Sequence, residues 1–228
     1  MCFSIQADLV SGAALLPVGV LTLREVRHKR ELPFAALPLL FAFHQLIEAL
    51  VWAGEQGHVS PCVQQAAAFS YVLFALPVLP TLVPIAVLML EPRGSRLRVA
   101  PFAAIGIVVS ADLLHSLLQG PLTIDVHRHA LVYNLPLSHG IIVAVFYVVA
   151  VVGPSVLSGY RSIIVFGVAN LVGLIAVALL YTRSFASLWC VYAALTSVLI
   201  FIHMRLRRRF TDAHRLRGEP LITAHPPG

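Results

Sequence analysis

Ionisable side chains are sparse in this sequence, and five of them fall where they could act together: His44, Glu48, Asp112, His115 and His139. His44 and Glu48 stand four residues apart, and Asp112 and His115 three apart, so each pair shares one face of a helix. Each helix then offers an imidazole and a carboxylate, and His139 adds a third imidazole. Imidazole with carboxylate is a donor set for zinc or iron, and imidazole is also an axial ligand of heme. A metal bound there would activate water, with Glu48 or Asp112 as the base, for lipid or redox chemistry. Tyr71 and Trp52 are the aromatic residues placed to line such a cofactor pocket. The same carboxylates could instead titrate in a small proton-coupled transporter. A third reading makes these groups packing residues of a non-catalytic accessory subunit of a larger membrane complex.

The elements that must carry these residues follow from composition. The chain has 228 residues, is 59% hydrophobic and only 11% charged, with a mean hydropathy of +0.88. A soluble globule carries about 25% charged residues, so the composition excludes a soluble enzyme and a nucleic-acid-binding domain, and lipid is the expected solvent. A spanning helix takes about 20 apolar residues. Seven stretches qualify: Asp8–Leu23, Pro33–Ala53, Gln65–Leu90, Val99–Gln119, Leu131–Val152, Ile163–Tyr181 and Phe185–Met204. The expected fold is an all-α, seven-helix integral membrane bundle over residues 1–204, followed by a disordered, basic cytoplasmic tail over 205–228. The first stretch reads as a retained helix, because its basic residues follow it.

Arg and Lys set the expected orientation. Fourteen of the sixteen lie after the first, third, fifth and seventh stretches, and only Arg128 and Arg183 lie on the other side. The positive-inside rule places the N-terminus outside and the C-terminus inside a plasma membrane. The run Arg205-Leu-Arg-Arg-Arg209 would lie against anionic headgroups. Measured back from the outer helix ends at ~1.5 Å per residue, Glu48 lies about 7 Å deep, His44 about 13 Å, and Asp112 and His115 about 10 and 6 Å. On the same count Tyr71 is about 9 Å deep and His139 about 12 Å. These groups share a layer below the outer surface and suggest an outward-facing polar pocket. Pro77, Pro80 and Pro84 should break or kink the third helix. Cys2 and Cys62 fall on the outer side and could form a disulfide. Gly167 and Gly173 would let the sixth helix pack closely, within the chain or in a homo-oligomer.

The opening Met1-Cys-Phe-Ser4, with Phe41-Ala-Phe-His-Gln-Leu-Ile-Glu-Ala-Leu-Val-Trp52, resembles an uncharacterised family of bacterial polytopic membrane proteins that begin Met-Cys-Phe-Ser. That family's second helix carries Gln-Gln-x-x-Glu-Gly and a following Trp. Gln45, Glu48 and Trp52 match it, whereas His44 and Ala49 depart. The resemblance implies a fold and singles out Glu48 over His44. It implies no activity. The last helix has no Lys, so a retinal Schiff base is excluded. It also lacks the His-x-x-x-His of zinc-dependent membrane hydrolases related to alkaline ceramidases.

Overall fold

The structure is a computed structural model that describes residues 4–91, 94, 96–127, 130–135, 140–180 and 185–206. Helix α1 (Ile5–Arg24) starts at Ser4, whose Oγ accepts from the Ala7 N–H at 3.3 Å. A single 3-10 turn, Lys29–Glu31, leads into α2 (Leu32–Glu55). Helix α3 (Pro61–Leu73) begins with Ser60 as its cap and Pro61 in its first turn, where a missing N–H costs nothing. It passes through a π-helical turn, Phe74–Val78, into α4 (Leu79–Leu90). Then come α5 (Arg96–Gln119), an antiparallel hairpin of β1 (Thr123–His127) and β2 (Ala130–Asn134), α6 (Gly140–Val156), α7 (Arg161–Leu180) and α8 (Phe185–Leu206).

The described residues thus form a helical membrane bundle of seven apolar segments, counting α3, the π turn and α4 as one, with a single small hairpin. Four segments, Ile5–Arg24, Lys29–Glu55, Pro61–Leu90 and Arg96–Gln119, are long and apolar enough to cross a membrane. The described apolar parts of the other three, Gly140–Val156, Arg161–Ala176 and Thr196–Arg205, are shorter. The expected break in the third segment takes the form of the π turn at Pro77. There the Tyr147 hydroxyl donates to the Ala75 carbonyl at 2.6 Å.

One expected boundary is corrected. The fifth segment does not begin at Leu131: Leu131–Asn134 belongs to β2, and the helix starts at Gly140. Hydropathy merges the two because the apolar strand residues Leu131, Val132 and Tyr133 and an apolar helix are equally hydrophobic. The hairpin's Leu131 and Tyr133 pack on Val51, Trp52, Ala67, Ala68 and Tyr71, so it closes over that end of the bundle. This is called the hairpin end below, and the opposite, Arg-rich end the basic end.

Helix α1 packs chiefly on α2, and their contact is set by small residues. A Cβ on Gly12 would meet the Leu46 side chain at 2.7 Å, and one on Gly19 would meet the Leu39 backbone at 2.7 Å. Gly167 and Gly173 also sit at close contacts, against Ser155 and the Tyr192 ring. A large core from Leu15, Phe34, Leu37, Phe41, Val83, Phe166 and Ile200 fills the middle.

At the basic end, Glu91 is fully buried and clamps the start of α7. Its Oε1 accepts from the Ser158 hydroxyl and from the Gly159 N–H, the latter at 2.9 Å. Burial pushes the Glu91 carboxyl above its ordinary value of 4.5, opposed by the bonds from Ser158 and Gly159 and by the Arg98 charge. The folded state therefore holds this proton more tightly than the unfolded chain. Its stabilising contribution is full below pH 4.5 and is lost as pH rises through the raised folded value. Glu91→Gln should flatten that pH dependence in thermal unfolding. Glu91→Ala should cost about 1–3 kcal/mol, because two buried donors lose their acceptor.

Candidate intramembrane polar site

The sequence places His44, Glu48 and Trp52 four residues apart in turn, so they share one face of α2. All three are buried, Glu48 completely. The His44 ring stacks on Tyr71 of α3 at 4.0 Å between centroids, and Tyr71 stacks on Tyr133 of β2 at 4.8 Å. Three rings thus tie α2, α3 and the hairpin together above the π turn, with Phe74 tilted against His44 at 5.0 Å. His44 Nδ1 is buried and lacks a hydrogen-bond partner among the described residues, a costly state for a polar atom.

A second carboxyl, absent from the sequence reading, joins this layer. Asp8 of α1 is fully buried. Ser11 Oγ bonds Gln45 Oε1 at 3.0 Å and fixes the register of the antiparallel pair α1–α2. Asp8 lies three residues toward the hairpin end from Ser11, and Glu48 three residues toward the same end from Gln45. Each step is about 4.5 Å of rise, so the register puts Asp8 level with Glu48. The neighbours agree with it: Gly12 packs on Ala42 and Leu46, Gly19 on Leu39, and Ile5 on the cluster holding Trp52. The signal was available in the sequence as a lone acid in an apolar helix, but at position 8 it reads as an ordinary first-turn acid.

Asp112 and His115 take a different place. Both are exposed on α5, which packs on α4, α6 and the π turn. Their face of the helix points away from Glu48. Of the five candidate ligands, His44 and Glu48 are therefore not brought together with Asp112 and His115. Among the described residues there is no group of three or more His, Cys, Asp or Glu that could hold a metal ion. His139, Cys2 and the tail from Arg207 onward lie outside the described residues, and Cys62 is a free, exposed cysteine. The hairpin packs over the end of this layer through Leu131 and Tyr133.

Two further polar stations lie along the bundle. Near mid-depth a cavity of about 20 Å³ is lined by Phe41, Val83, Phe166, Asn170 and Thr196, among others; that is space for about one water. Phe41 is one turn below His44, so the cavity follows the site directly. At the basic end Ser162 Oγ and His203 Nδ1 are 2.5 Å apart. The His203 ring packs edge-on against Phe34 and Tyr160. Phe34 in turn packs edge-on against Phe166, so aromatic rings separate this station from the cavity.

The sequence matches a family of unknown function, DUF6629, over residues 1–215. The chain belongs to this family. No curated protein and no solved structure matches it. Membership covers every helix of the bundle and assigns no chemistry to it, so the chemistry rests on the site.

Proposed function

We propose that this protein is a small proton-coupled carrier of the plasma membrane, with Asp8 and Glu48 as the proton-binding pair. The observation that carries this reading is the level placement of two fully buried carboxyls across the α1–α2 interface. Two like charges cannot both ionise in a low-dielectric interior, so such a pair holds a proton between them. His44 stands one turn from Glu48 on the same face of α2 and adds an imidazole to this layer. The one-water cavity at Asn170 and Thr196 supplies the next step toward the basic end, and the rings of Phe34 and Phe166 close the way from it to the Ser162–His203 pair. The prolines and π turn of the third segment supply a place for the bundle to move.

The reading can be tested at Trp52, one turn beyond Glu48 on the same face of α2. In a Trp189→Phe background Trp52 is the sole tryptophan, as the chain has two. Its fluorescence in lipid vesicles should titrate with pH, and infrared spectra should show a protonated carboxyl at neutral pH. Both signals should vanish in Glu48→Gln. A carboxyl band and a titration unchanged by Glu48→Gln and by Asp8→Asn would remove the proton-binding role.

The orientation belongs to the same proposal. With the hairpin end outside, Cys62 should react with a membrane-impermeant thiol reagent on intact cells. Labelling only after the cells are opened would invert the carrier.

A further inference from the structure

We propose that a second copy of this chain docks on the exposed face of α5, and that Asp112 and His115 pair reciprocally across that interface. Helix α5 is one of the segments long and apolar enough to span the membrane. Asp112 lies seven residues before its hairpin-end terminus, about 10 Å down the helix. Both Asp112 and His115 are exposed, and neither has a hydrogen-bond or ion-pair partner among the described residues. A carboxyl and an imidazole facing hydrocarbon are expensive, and such groups ordinarily face protein or a water-filled cavity.

The rest of the face fits another helix. Ala104, Val108, Ala111 and His115 are all exposed and recur at spacings of four, three and four, the rhythm of a helix-packing seam. Two of the four are alanine, and small residues let membrane helices approach closely.

Why a second copy, and not a different protein, follows from the pair's chemistry. Two copies inserted the same way relate by a two-fold axis along the membrane normal, which sets α5 parallel to its counterpart. Asp112 and His115 are separated by about 4.5 Å of rise. Across the two-fold, the acceptor on one copy then lies within a turn of the donor on the other, and the reverse holds at the same time. A two-fold interface needs such self-complementarity, and an acid and a base on one face supply it. This inference is independent of the proton-binding pair, which lies in the α1–α2 interface.

The test uses the full chain in lipid vesicles, with subunits counted by single-molecule photobleaching. The wild type should be dimeric. Asp112→Leu should weaken self-association roughly tenfold or more, since two interhelical bonds are lost at once, while the helical circular dichroism stays unchanged. The exchange Asp112→His with His115→Asp should restore the dimer. In a chain whose own cysteines are replaced, Val108→Cys should cross-link on oxidation, and Val165→Cys, on the exposed face of α7, should not. A monomeric wild type, a dimer cross-linked through α7 instead of α5, or an exchange variant that folds but stays monomeric would each overturn the proposal. So would a different protein occupying this face of a monomeric chain.

Discussion

Glu48→Ala should abolish proton binding and lower stability by about 2–4 kcal/mol, whereas Glu48→Gln should abolish proton binding alone. The first change deletes a fully buried side chain and leaves a cavity that the α1–α2 contact cannot close. That contact is already at its limit where Gly12 and Gly19 touch Leu46 and Leu39. The second change keeps the volume and the hydrogen-bonding capacity, and it removes one of the two carboxyls that share a proton. Its unfolding temperature should equal or exceed that of the wild type. Asp8→Asn should behave in the same way. The double variant should lose no more proton binding than either single one, because the two carboxyls act as a unit. Glu55 provides the control. It is exposed, accepts from Gln64 Nε2 at 2.5 Å, and its change to Ala should stay within about 0.5 kcal/mol. Chemical unfolding in detergent and the Trp52 titration read the two effects separately. Equal costs for Glu48→Ala and Glu55→Ala would take Glu48 out of the site.

The difference between what was legible in the sequence and what was not has a physical source. Segment positions were legible because lipid demands long apolar runs, and six of the seven expected segments fall within a few residues of their observed ends. The exception, Leu131–Asn134, fails because apolar content does not distinguish a strand from a helix. In the site, the stacking of Tyr71 on His44 is seen only in three dimensions, whereas the shared α2 face of His44, Glu48 and Trp52 was legible from spacing alone. Asp8 was not, because its role depends on the register between two helices, which Ser11, Gln45 and the glycines fix only in three dimensions. Asp112 and His115 show the converse. Their spacing and depth resemble those of His44 and Glu48, yet they point outward. In lipid, both the interior and the exterior of a bundle are apolar. The residues beside Asp112 therefore carry no pattern that says which way α5 is turned.

Gly106→Ala should produce a severe structural failure. Gly106 is buried on the face of α5 opposite Asp112 and His115. A Cβ there would fall far inside the contact distance of the Pro80 carbonyl oxygen, with Pro84 Cγ at 3.2 Å behind it. Neither neighbour can turn aside. The carbonyl is backbone, and both prolines have fixed rings, so α5 itself must shift. Such a shift would strain the 2.6 Å hydroxyl pair Thr81–Ser110, one turn along the same interface, and the packing of α5 on the π turn. Inserting a methylene into a close-packed interior costs about 1–3 kcal/mol where side chains can adjust, and here they cannot. Gly106→Ala should therefore exceed about 3 kcal/mol or fail to fold. Ile107→Ala, next along the helix and 53% exposed, should change stability little, since in the bilayer its surroundings are hydrocarbon with or without the side chain. Thermal unfolding of the two variants in the same detergent decides the matter. A Gly106→Ala protein as stable as Ile107→Ala would mean that α4 and α5 do not approach through Pro80, and the placement of α5 beside the third segment would have to be redrawn.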